Sequence, residues 1–332
     1  GFIADLYFAD IYDAEGNFSD WDTNNDGVYG KWSDDPNPRY NPNNPNHIVN
    51  PNHPPPEDTD IIDFFPDIHL GRLPCRNLME VMIMVAKIIN YETSPAEPSW
   101  FNRMVLVGGD PYDDVGTDII EGEEICEKAL EHMDNFVGIR LYASNQHSNP
   151  RYTPLTRNII REINKGCGFL LFDGHGSPGW WNTFWPYQFD KLIPNGGLSI
   201  YQFPFLLNGR RLPICVIGGC HNAMFNTSLV NSMTDIDNSK KMWSYGMPVA
   251  ECWAWALTNK VNGGAIATIG STGLGYEADG EHGDIDGDGE FEPDCVEVLG
   301  GYLETEFFNI INTNVMYLGD AWNGAISRYL EQ

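Results

Sequence analysis

Two apolar runs that stop dead at glycine turns constrain this chain more than any other feature. Residues 168–177 read GFLLFDGHGS and residues 212–222 read LPICVIGGCHN. Each run is continuous rather than alternating, the pattern of a strand covered on both faces, as in a parallel sheet. Neighbouring parallel strands point the same way, so residues just past their carboxyl ends gather at one crevice. His175 leaves the first run and Cys220 the second, a candidate general base and a candidate nucleophile. The flanking glycines allow close approach of a substrate backbone, and the amides of Gly176 and Cys220 are candidate oxyanion donors. A single His-Gly pair or a single cysteine is more often structural. Here the conjunction carries the reading, because a third run, Gly264 to Ile269, also ends in a small-residue turn with Ser271 and Thr272. His221 is read as a solvent-facing or core histidine, since adjacent side chains on extended backbone diverge.

Strands and helices alternate along most of the chain. Helices are expected over Leu78–Tyr91, Ile119–Met133, Thr156–Lys165, Pro248–Asn259, Val296–Ile311 and Ala321–Leu330, and strands over Arg103–Gly108 and Val137–Tyr142. Leu6–Tyr12 reads as a further strand or buried edge. The pattern predicts an α/β fold with a mainly parallel sheet and helices on both faces. Residues 33–58, dominated by Pro and Asn, lack any hydrophobic period and read as a long irregular loop.

A net charge of -28 over 332 residues excludes nucleic acid as a partner, since a phosphate backbone would be repelled. No apolar run has the length of a membrane span. So much acid fits a solvated extracellular surface, divalent-cation ligands, or both. Seven cysteines form no tight framework; most sit inside apolar runs and read as buried thiols, with Cys295 free to pair with another exposed cysteine.

Asp284, Asp286 and Asp288 stand at positions 1, 3 and 5 of a loop with Gly289 at 6 and the Glu290 carbonyl at 7. That is the oxygen-rich spacing of a calcium loop, which Glu292 and Asp294 can complete. Cys295 replaces the usual bidentate Glu, so the loop is not a full EF-hand. Asp22, Asn24, Asp26 and the Val28 carbonyl repeat the pattern. A solvated acidic turn is the alternative for both.

The segments Gly174-His175-Gly176-Ser177, the run into Cys220 and Asn222, and Ala265 to Thr272 together resemble the gingipain family of cysteine endopeptidases. Ile68 to Pro74, Ile89 to Glu92 and Leu318 to Trp322 resemble the same catalytic domain. The resemblance implies a caspase-like three-layer sandwich over residues 1–332 and peptide-bond hydrolysis through Cys220 and His175. It also implies protein or peptide substrates, and its secreted members agree with the secreted or cell-surface setting expected from the calcium loops and the acidic surface. A strand before Leu6 and one after Gln332 are missing relative to the family, so the acidic partner of His175 and other fragments of the same precursor are expected outside this chain. Asp5 matches an acidic residue lining the specificity pocket of arginine-specific members, which implies Arg or Lys at P1; a capping or calcium-binding aspartate is the alternative. Trp180 and Trp181 are candidates to wall that pocket, with core packing as the other reading for one of them. The rival class is a non-catalytic calcium-binding surface or filament-forming protein that retains the fold.

Overall fold

In the computed structural model, the described residues are 4–30, 60, 62–94, 96–112, 118–227, 249–279, 282–285, 287, 289–313 and 315–332. They fall into two compact units. One comprises Ile3–Arg72 with Tyr317–Gln332, the other Leu73–Met316. The irregular loop expected at residues 33–58 lies outside the described residues.

The smaller unit contains α1 (Leu6–Ala9) and, at the far end of the chain, α8 (Leu318–Glu331). The segment from Leu6, expected as a strand, is therefore a single helical turn that ends at Asp10. No named strand among the described residues pairs with that turn; Tyr12 forms a single antiparallel bridge with Phe18, and the amides of Ile11 and Tyr12 both donate to the Asp67 carboxylate, at 2.6 and 2.8 Å. Across the same unit His69 meets Asp320 at 3.1 Å.

The larger unit runs α2 (Leu78–Thr93), β1 (Arg103–Gly108), α3 (Glu121–Glu131), β2 (Val137–Tyr142), α4 (Thr156–Asn164) and β3 (Phe169–Asp173). A small antiparallel sheet follows, of β4 (His175–Ser177), β5 (Trp180–Asn182) and β6 (Leu198–Ser199). Then come β7 (Ile214–Gly218), α5 (Trp253–Thr258), β8 (Ala267–Gly270), the short hairpin β9 (His282–Gly283) with β10 (Glu292–Pro293), α6 (Asp294–Glu297) and α7 (Leu299–Ile311).

The main sheet is parallel throughout, in the order β2-β1-β3-β7-β8. Its central strands are almost wholly buried, as their unbroken apolar sequence requires. On one face Val105, Val107, Leu170, Phe172 and Ile217 form a core with Ile159 and Ile163 of α4 and with Trp253 and Leu257 of α5. On the other, α3 and α7 cover the sheet, with Phe308 edge-on to Phe169 at 5.7 Å between ring centres. The α/β sandwich expected from the alternation is the observed architecture. The helix expected over Val296–Ile311 is broken, because Leu299 adopts a left-handed φ of 58° between α6 and α7.

The connections explain where the chemistry gathers. From β1 the chain moves to one edge of the sheet (β2), and from β3 it moves to the other (β7, then β8). This reversal opens a crevice at the carboxyl ends, the usual ligand position in open α/β sheets.

Candidate active site

Register places the two candidate catalytic residues level with each other. In the β3–β7 ladder Asp173 pairs with Gly218. His175 and Cys220 each follow two residues later, at the same edge of the sheet. A bond from Gly174 N to Gly218 O, 3.1 Å, closes the ladder just before them. Gly174 has φ 148°, and a Cβ there would press on Trp181 and Asn182, so only glycine makes this departure without strain.

Beyond the ladder the two turns touch through glycine. A Cβ on Gly176 would overlap Cys220 O and Gly219, at 2.7 Å from each. The amide of Gly176, one expected oxyanion donor, thus lies beside the nucleophile turn. His221, directly after Cys220, adopts φ 59°, a conformation costly for a residue with a Cβ and concentrated at active sites. It is buried, its N–H donates to Gly273 O at 2.7 Å and its imidazole bonds the Thr272 backbone. It is therefore a core residue that holds the turn. Ser271 and Thr272 flank Cys220 through their main chain as well: Ala223 N donates to Ser271 O at 2.9 Å.

His175 is oriented by a backbone oxygen. A carbonyl only accepts, so the 2.9 Å contact between Nε2 and Pro111 O places the ring proton on Nε2 and leaves Nδ1 as the basic nitrogen. Pro111 follows β1, so three turns (after β1, β3 and β7) supply the crevice. Phe184 packs edge-on against the ring at 5.0 Å. Burial holds the imidazole below its ordinary pKa, only partly offset by the carbonyl. Burial also pushes the Cys220 thiol up, opposed by its contact with Gly275 O at 3.8 Å. Both shifts favour the neutral form of each group at rest.

All seven cysteines are free thiols, Cys295 included, which is buried rather than paired. Five are wholly enclosed, and only Cys75 and Cys220 have partial access to solvent.

Of the residues expected to wall a pocket, Trp180 is half-buried on β5. Trp181 has no exposed surface: its ring packs tilted against Phe172, 5.0 Å between centres, and its Nε1 donates to Gly218 O at 3.2 Å. It is a core residue, not a pocket wall, because the antiparallel β4–β5 pairing turns it inward. Asp5 lies in the smaller unit, where Arg72 engages its Oδ1 through Nε at 2.7 Å and Nη2 at 2.5 Å.

Of the acidic loops, the first is an interlocked turn. Gly27 N donates to both Asp22 carboxylate oxygens at 3.2 Å, Asp26 N to Asn24 Oδ1 at 2.9 Å, and Val28 N to Asp26 Oδ1 at 2.7 Å. In the second, Asp286 and Asp288 lie outside the described residues. Asp284 accepts from Gly289 N at 3.1 Å, Glu290 is exposed, and Asp294 begins α6 with its Oδ1 buried. Glu292 is drawn away to Lys128 at 2.7 Å. Among the described residues no group of three or more His, Cys, Asp or Glu is arranged to hold a metal ion.

Sequence reading missed a set of buried acids behind the site. Asp173, the last residue of β3, is fully enclosed, and its carboxyl crowds the same spot as that of Glu304 on α7. Both press on Gly218, where a Cβ would stand 2.6 Å from Asp173 Oδ2 and from Glu304 Oε1. Glu277 and Glu121 add to the same enclosed field. Acids in a chain this acidic read as surface, so only the apolar run leading into Asp173 could have signalled otherwise.

The profile of peptidase family C25 matches residues 1–332. Curated protein sequences give no match. Two solved structures are similar in fold. The crystal structure of the Arg-specific cysteine proteinase gingipain R has TM-score 0.50 and 18% identity, over 80% of this chain and 51% of that one. The complex of Porphyromonas gingivalis RgpB pro- and mature domains has TM-score 0.51 and 17% identity, over 81% and 52%. The chain spans about half the length of these structures. No helix among the described residues is long and apolar enough to cross a membrane.

Proposed function

The chain belongs to peptidase family C25, and from that membership we propose that it is a cysteine endopeptidase in which Cys220 is the nucleophile and His175 the general base. The observation that carries this reading is the β3–β7 register, with Asp173 opposite Gly218 and each catalytic candidate two residues beyond.

The resting pair is neutral, so activation accompanies attack. As Cys220 Sγ bonds to the scissile carbonyl carbon, its proton passes to His175 Nδ1, the nitrogen that the Pro111 carbonyl leaves basic. The carbonyl oxygen becomes an oxyanion received by the amides of Gly176 and Cys220; one such donor contributes roughly 3 kcal/mol to transition-state stabilisation. Imidazolium then protonates the leaving amine, the C–N bond breaks, and an acyl-thioester remains. Water, deprotonated by His175, cleaves that thioester and restores the thiol. Pro111 O stabilises the transient imidazolium as a charge-assisted acceptor, the part an acidic side chain plays elsewhere.

A basic P1 residue fits the -28 net charge and the arginine specificity stated for gingipain R. Asp5 is already engaged by Arg72 within its own unit. The fold likeness to a complex of pro- and mature domains supports a partner cut from the same precursor, and a secreted setting is part of the same proposal. Calcium belongs to the same reading. Asp22, Asn24 and Asp26 offer hard oxygen donors on a turn already closed by main-chain bonds, and Asp284 does so in the second loop. A bound ion would cross-link each loop and add its binding free energy to folding.

Hydrolysis of a positional peptide library, with and without chelator, tests the proposal. Cys220→Ala is expected to abolish cleavage with an unchanged circular dichroism spectrum. Full hydrolysis by that variant would end the assignment and leave a calcium-binding protein of the same fold.

A further inference from the structure

Asn222 stands two residues beyond the nucleophile and is fully buried. Its carboxamide does not point into the crevice. Nδ2 donates to Ser177 O at 2.7 Å and to Trp180 O at 3.0 Å, the two carbonyls that bracket the turn of the β4–β5 hairpin. His175 opens that hairpin. On the other side of the amide, Oδ1 receives no hydrogen bond and lies against the α-carbons of Gly176 and Gly219; a Cβ on either would overlap it. The main chain of Asn222 is itself anchored, since Ala254 N of α5 donates to its carbonyl at 3.0 Å.

These contacts fall where regular pairing has stopped. The β3–β7 ladder holds the two strands in register only as far as Asp173 and Gly218. Past it, the His175 and Cys220 turns diverge in conformation, one extended into β4 and the other kinked at His221. One side chain spans both, bonding the hairpin with its donors and seating its oxygen against a glycine of each turn. No other common side chain fits. Aspartate would set a carboxylate against two carbonyls, alanine would leave both carbonyls enclosed without a donor, and glutamine would force the glycines apart.

We propose that Asn222 is a positioning residue, a brace that fixes the spacing between His175 and Cys220. This rests on the dyad proposed above. It acts through the turns and touches no reacting atom, so its loss should lower kcat while leaving KM nearly alone.

The test compares wild type, His175→Ala, Asn222→Ala and Asn222→Ser in the full chain. Thermal melts select folded variants, and serine retains one donor if alanine fails to fold. Two readouts are followed: steady-state hydrolysis, and the rate of Cys220 alkylation by iodoacetamide from pH 5 to 10. A displacement of about 1 Å costs on the order of 10²-fold in rate, so kcat should fall by that factor with KM within about threefold. The alkylation profile of the Asn222 variants should move onto that of His175→Ala, which a purely structural role would not produce. A folded Asn222 variant with wild-type kcat, or with an unmoved alkylation profile, overturns the brace while the dyad stands. If wild type and His175→Ala share one alkylation profile and neither cleaves peptides, the dyad itself has failed.

Discussion

Replacing Glu304 with glutamine should make the protein more stable at neutral pH and flatten its dependence on pH. The carboxyls of Asp173 and Glu304 crowd the same enclosed space against Gly218. Burial raises the pKa of both well above the ordinary range, and each further raises the field felt by its neighbours. Glu277, in the same field, is pushed by burial up to about 7. Tyr112, Cys126 and Cys295 face the same acids and stay neutral. Two carboxyls buried and crowded together share at least one proton in the folded state, which the unfolded chain releases near pH 4. The contribution is therefore complete below the unfolded pKa and is lost as pH rises through the folded one. Between those limits each retained proton costs about 1.4 kcal/mol of stability per pH unit. Glutamine has the same shape and offers Nε2–H to Asp173 without a titratable proton of its own. Urea unfolding of wild type and Glu304→Gln at half-unit steps from pH 5 to 8 reads the difference directly. Equal slopes in the two proteins would refute the shared proton.

Three further outcomes follow from other contacts. Because burial holds His175 below its usual pKa, the acid limb of kcat/KM should lie below pH 6.5, and a limb above that value contradicts the environment described. Lys87 Nζ donates to the carbonyls of Thr258, Gly263 and Lys260 at 2.7, 3.0 and 3.2 Å, binding α2 to the end of α5. Lys87→Met should cost about 2–3 kcal/mol in a denaturant melt, and a change under 0.5 kcal/mol would show that water replaces those bonds. Adding a calcium chelator should lower the melting temperature, and Asp22→Ala or Asp284→Ala should reduce that chelator effect; a melting curve indifferent to chelator removes the ion from the proposal.

Sequence patterning located most of the frame. β1 lies at its expected position because an unbroken apolar run of strand length has few other ways to be buried, and β2, interrupted by Arg140, holds the edge of the same sheet. Leu6–Tyr12 misled because alternation over a few residues does not separate a strand from one helical turn, and side-chain acceptance by Asp67 decided between them. His175 and Cys220 were legible through the turns that follow their strands. Their supports were not. Pro111 acts through a carbonyl and Asn222 bonds carbonyls, groups that every residue carries and no letter distinguishes. The enclosed acids were hidden for a different reason: Glu121 and Glu304 occupy helices whose sequences alternate charge and apolar residues, so nothing local marks them as inward.

The oxygen that orients His175 belongs to the peptide unit of Pro111. No codon change deletes it, so a scan of single substitutions would survey every side chain around this crevice and still pass over the imidazole's partner. Only displacement of the segment after β1 removes it. Control of the reaction then resides in where that stretch of main chain sits, and an inhibitor that pulls it aside could silence the protein without reaching the sulfur.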